Sequence, residues 1–137
     1  MGRILGIDYG KKRIGIAVTD ELEIIASPLK VILNDSFVFE KIKSICEEYK
    51  VKKIVLGFPF SEKYNEAMLE VTEFSKKLRE KINNIEVHFQ NEEFSTVQSE
   101  YFLKSLGQSP KKIKENIDKY AAQKILVDYL KENKKEK

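Results

Sequence analysis

Three carboxylates stand where an ordinary soluble chain has little use for them. Asp8 closes the apolar run RILGID and precedes Tyr9-Gly10-Lys11-Lys12. Glu92 follows IEVHFQN, where apolar and polar residues alternate. Asp118 lies three and four residues before Ala121 and Ala122, which on a helix puts it on their face. A charge at the end of a buried strand is costly unless something binds it. Gathered carboxylates repel one another, and a hard divalent cation such as Mg²⁺ is the counter-charge that suits oxygen ligands. Such ions are the usual apparatus for in-line displacement at phosphorus. Taken singly, each acid also has an ordinary reading: Asp118 as a helix-dipole partner, Glu92 as a loop acid, Asp8 as a turn residue. Composition and spacing leave these alternatives open.

The elements that must position the acids follow from the hydrophobic pattern. Strands are predicted over 3–8, 13–19, 24–33, 52–57 and 85–90. Pro28 marks the third as bent or at an edge. The alternation of 85–90 predicts an edge strand with one wet face. A helix is predicted behind the caps Asn34, Asp35 and Ser36, with Val38, Ile42, Ile45, Cys46 and Tyr49 on one face. A second runs over 62–82 and is stopped by Asn83-Asn84. Ser95-x-x-Gln98 reads as a capping box opening a third, closed by Gly107. SPKKIKEN reads as a basic loop, and a last helix runs over 117–131. The order βββαβαβαα predicts an α/β fold, a five-stranded mixed sheet flanked by helices on both faces. Asp8 then lies at the carboxyl end of a central strand, near the switch point where sites of open sheets form. Glu92 follows the strand beyond.

The 137 residues suit one domain, 1–132, followed by a charged tail, 133–137. Apolar residues make up 42% of the chain and charged residues 34%, a balance typical of globular proteins, and the net charge of +3 is compatible with an anionic partner. The single cysteine, Cys46, permits no internal disulfide and falls on a core stripe. With one histidine, His88, no histidine triad or zinc site can be built. No apolar stretch is long enough for a membrane span and no signal-peptide pattern is present, so a cytoplasmic protein is expected. Lys111, Lys112 and Lys114, just ahead of Asp118, are candidates for a phosphate backbone, as are Tyr9 and Tyr64 for base stacking.

The motifs resemble one family. DYGKKRIGIAVTD is similar to the D-x-G-x-K-R-I-G-x-A opening of the YqgF-like proteins, described as pre-16S ribosomal RNA nucleases and as Holliday-junction-resolvase-like proteins. IVLGFP resembles their strand ending G-[LF]-P, NEEFST their D-E-R-[LF]-[ST]-T, and IDKYAAQKILVDYL their final helix, D-x-x-A-A-x-x-I-L-x-x-[YF]-L. The resemblance spans residues 3 to 130. It implies an RNase H-like fold and a metal-dependent nuclease using Mg²⁺ or Mn²⁺, with Asp8, Glu92 and Asp118 as catalytic and metal-binding acids. Lys11, Lys12 and Arg13 would sit near the site and meet phosphate oxygens. The implied substrate is a 16S rRNA precursor, with branched DNA as the competing nucleic acid. A weakly catalytic RNA- or ribosome-binding module is the non-enzymatic alternative. A sugar-kinase-type ATPase needs two such domains, and this chain has room for one. The chain departs from the pattern at Asn91, where the family has aspartate, and at Glu93, where it has arginine. Its loop after GFP also lacks the usual asparagine and glycine, and Glu62 and Glu93 add negative charge near the expected metals.

Overall fold

The computed structural model describes residues 2–92, 104–105, 107 and 109–133, with the side chains of 114 and 115 excepted. Five strands form one sheet: β1 (Arg3–Asp8), β2 (Arg13–Thr19), β3 (Ala26–Leu33), β4 (Val51–Phe58) and β5 (Glu86–Asn91), in the order β3-β2-β1-β4-β5. β1 is central, antiparallel to β2 and parallel to β4. β3 is an edge strand, and the register shifts between Ile16 and Ala17, beside Pro28, where the ladder must do without that residue's N–H. The sheet is mixed, and β1 lies where the connection reverses direction.

Helices α1 (Val38–Tyr49) and α2 (Glu66–Lys81) cover one face. They bury Leu5, Ile7, Ile14, Ile16, Ile54 and Leu56 against their own apolar stripes. α2 starts at 66 rather than near 62 because Asn65 caps it, its Oδ1 accepting from Met68 N at 3.0 Å. Its end is followed by Asn84 in the left-handed region, φ 66°. Cys46 is buried in this core, and burial pushes its thiol up to about 12.

The last helix, α3 (Pro110–Asn133), covers the other face. It is 24 residues long and begins seven residues before the predicted start. The segment read as a basic loop is its first two turns. Pro110 occupies the first helical position, where its missing N–H costs nothing, and the Ser109 Oγ accepts from Lys112 N at 3.3 Å. Ile113 and Ile117 are buried and extend the apolar stripe of Ala121 backwards at intervals of four. That periodicity was hidden by the charges between. The length of α3 also carries it across to β5. There the polar row of the edge strand is wet at one end and covered at the other: Glu86 is exposed, the His88 ring is half-buried 6.2 Å from that of Tyr129, and Gln90 is buried. The expected capping box and most of the expected third helix lie outside the described residues. Gly107 is described, and its φ of 76° is the left-handed geometry of a helix stop.

Candidate active site

Close approach of α3 to the sheet builds the site. Gly6 on β1, Gly15 on β2 and Gly57 on β4 leave the space. A methyl at Gly6 would come within 2.9 Å of the Ala122 carbonyl, one at Gly15 would fall on the Asp118 carbonyl, and one at Gly57 would strike Ile125. The helix backbone therefore rests almost directly on the strands, and Asp118 is set down beside β2.

Asp8 ends β1 on the α3 face, paired in register with Gly15. Burial, reinforced by the negative charge of Asp118, raises its carboxyl to about 7. Burial also raises Asp118, but Arg13 opposes the shift, its Nε lying 3.7 Å from Asp118 Oδ2. The helix face predicted for Asp118 is the one observed: Ala121 and Ala122 are fully buried beside it.

Glu92 is positioned by its backbone, whose N–H donates to the Phe58 carbonyl at 3.0 Å just past the end of β5. Its side chain is only 7% exposed. Oε1 is buried and no donor among the described residues reaches it, while Oε2 is 3.8 Å from Lys124 Nζ. Burial foremost, with a hydrogen bond to Asp128, raises Glu92 to about 8. Asp128 takes the other half of the pair. Burial would raise it too, but the Glu92 hydrogen bond and Lys124, 2.7 Å away, hold it below the usual carboxylate range. At neutral pH Glu92 therefore carries the proton and Asp128 the charge. An ionised Glu92 is short of a partner, which a cation would provide.

Asp8 and Glu92 line one cavity of about 300 Å³ between the β1–β2 turn, the end of β4 and α2, together with Gly57, Lys11 and Glu70. Asp118 stands beside Asp8 but does not line this cavity. Among the described residues no three acidic, histidine or cysteine side chains converge tightly enough to enclose an ion. The donor set nonetheless fits a hard divalent cation: three carboxylates, all with pKa values raised by burial, one with a buried oxygen that has no partner among the described residues.

The basic residues divide. Lys11 Nζ bridges Glu70 at 3.2 Å and Glu66 at 3.6 Å across the cavity mouth, and those contacts raise its pKa. Arg13 faces Asp118. Lys12, Lys111 and Lys112 are exposed, the last two on the first turn of α3 rather than on a loop, and the Lys114 side chain lies outside the described residues. Tyr9 packs its ring 4.8 Å from Phe74 and is a core contact as well as a cavity wall, whereas Tyr64 is exposed. Glu62 is exposed and does not line the cavity, and Glu93 is outside the described residues. Sequence reasoning missed Asp128, Lys124 and Glu70. The first two had a signal: Ala121, Lys124 and Asp128 recur at three and four residues, an acid and a base flanking the buried stripe.

A family model described as "RuvX: Holliday junction resolvase" matches residues 2–132. The chain belongs to this family. Among RuvX relatives, a protein of Sulfurihydrogenibium sp. named "Putative pre-16S rRNA nuclease" is 43% identical over 136 residues, 95% of this chain and 90% of its own. One of the same name from Lactococcus lactis is 38% identical over 135 residues, 93% of each chain. Solved structures agree on the fold. T. thermophilus RuvC, in complex with Holliday junction substrate, superposes with a TM-score of 0.60 at 14% identity over 96% of both chains. The fowlpox virus resolvase, also with junction DNA, gives 0.59 at 13% identity, over 95% of this chain and 97% of its own. The RuvX chain thus has the RNase H-like fold. Membership places it among nucleases, hydrolases of nucleic-acid phosphodiester bonds. Among the described residues no helix is long and apolar enough to cross a membrane.

Proposed function

We propose that this protein is a Mg²⁺- or Mn²⁺-dependent nuclease that trims the 5′ end of the 16S rRNA precursor, working as one nuclease domain, 1–132, in the cytoplasm. Asp8, Glu92 and Asp118 would hold the cation. The observation that carries this reading is the buried oxygen of Glu92, without a partner among the described residues, in a side chain that lines a cavity together with Asp8. A cation there would supply positive charge to the phosphoryl oxygens and acidify water. The chain's own residues do the rest. Asp8 and Glu92, whose carboxyls burial raises to about 7 and about 8, would give up their protons on holding the cation, so occupancy of the site is linked to pH. Arg13, set against Asp118, is placed to turn toward a non-bridging oxygen. Lys11 would have to leave Glu70 and Glu66 to reach phosphate, and Lys12, Lys111, Lys112 and Lys114 would follow the backbone. The names of the relatives favour RNA.

The second reading, resolution of branched DNA, is favoured by the junction-bound neighbours. One experiment separates the two. A labelled rRNA precursor and a four-way DNA junction are each incubated with Mg²⁺, Mn²⁺ or EDTA, beside Glu92→Ala. Cation-dependent cutting of the precursor, lost in the variant, is expected. Cutting of the junction alone overturns the substrate, and cutting that survives in the variant overturns the site.

A further inference from the structure

The end of the sheet away from Asp8 carries a second concave surface. The connection from β2 to β3 is a tightly determined loop. Asp20 Oδ1 accepts from Ile24 N at 2.8 Å and from Ile25 N at 2.9 Å, while its own N–H donates to the Ile25 carbonyl and its carbonyl accepts from Glu23 N. Glu23 adopts φ 57° and is anchored to Lys52 at 2.8 Å. The loop presents Leu22, Ile24 and Ile25 at 62%, 67% and 63% exposure. Isolated exposed leucines are ordinary, but these adjoin a groove. Leu22 and Ile24, with Ala26, Val127 and Leu130 of the C-terminal half of α3, line a cavity of about 560 Å³. Lys53 and Lys131 stand on its walls; Lys53 donates to the Tyr129 hydroxyl at 3.1 Å, and neither lysine reaches a carboxylate at ion-pair distance among the described residues, whereas the charge of Glu23 is met by Lys52.

We infer that this groove, between the β2–β3 loop and the C-terminal half of α3, docks an acidic amphipathic segment of a partner protein. A second copy fits poorly, because a two-fold contact through this patch would set Lys53 and Lys131 of both copies against one another. Nucleic acid would satisfy the lysines but leave the aliphatic floor unused. A segment with large apolar side chains on one face and carboxylates beside them answers both features. The groove begins four residues along β2 from Gly15, about 13 Å from the Asp8 end, so a docked partner would leave the candidate active site open.

The test is fluorescence anisotropy of the full chain with a labelled amphipathic peptide of about 12 residues, leucine on one face and glutamate elsewhere, against the same peptide with lysine for glutamate. The glutamate peptide is expected to bind at least about tenfold more tightly, and Leu22→Ser/Ile24→Ser to lose about tenfold while its thermal melt and its nuclease activity stay as in the parent. Lys53→Gln/Lys131→Gln, which spares the apolar floor, is expected to narrow the difference between the peptides. No binding of the glutamate peptide, equal binding of both, or binding indifferent to Ile24 overturns the inference. Sedimentation showing a dimer that Ile24→Ser dissociates would overturn it in favour of a second copy.

Discussion

Gly15 and Asp118 leave no room between them: a methyl on the strand residue would lie 1.9 Å from the helix residue's carbonyl oxygen. The glycine therefore sets the height of an acid on another element. Gly15→Ala must push α3 off β2, and overpacking of this kind costs about 1–3 kcal/mol. Urea denaturation is expected to show that loss. Nuclease activity is expected to fall further than Gly57→Ala makes it fall, because there the obstacle is the flexible end of Ile125.

Protonation of the site links stability to pH. Glu92 titrates at about 8 and Asp8 at about 7, against 4.5 and 3.8 for the ordinary groups. Raised acids mean that the folded state holds protons that the unfolded chain has released. Their contribution is thus complete below about pH 4 and is lost as pH rises through 7 and 8. Asp128, held low, works in the opposite sense but titrates in the acid range. The metal-free protein is expected to melt at a lower temperature at about pH 8.5 than at about pH 5.5, a difference of a few kcal/mol at most. Added Mn²⁺ should raise the melting temperature more at the higher pH, since ions and protons compete for the same oxygens.

Asp128 and Lys124 pull Glu92 in opposite directions. Asp128→Asn removes the negative neighbour and is expected to shift the rising limb of the pH–activity profile toward acid. Lys124→Met removes the cation and should shift it toward alkali. A purely structural role would lower the plateau of activity and leave the limb where it is.

Lys111 and Lys112 project from the first turn of α3 into solvent. If they follow a phosphate backbone, replacing both with glutamine should reduce the salt slope of substrate binding by about two. Lys11→Gln should change it less, because Lys11 is already neutralised by Glu70 and Glu66. Binding measured across a range of KCl concentrations checks both.

Much of this was legible in the sequence because burial leaves a period. The five strands, their mixed order and the central place of β1 followed from apolar runs and turn residues. The three acids were legible as charges where the pattern called for none. The start of α3 was not, since its first turns hold only Ile113 and Ile117 among lysines, and a proline that opens a helix looks the same as one that bars it. The partners of Glu92 were hidden for another reason. Lys124 and Asp128 stand at the i, i+4 spacing common on helix surfaces, and only the crossing of α3 over β4 toward β5 turns that pair onto a buried carboxylate.

One consequence lies in the continuity of α3. The same rod fixes Asp118 in its first half and, about two to three turns later, the Lys124–Asp128 grip on Glu92. The acids are therefore geared together, and a tilt that brings one toward the cavity carries the grip on another with it. Their spacing cannot drift one residue at a time. Substitutions along the Gly6–Gly15–Gly57 seat should be strongly epistatic with those at the acids, and a lineage that retunes this site must do so by moving the helix whole.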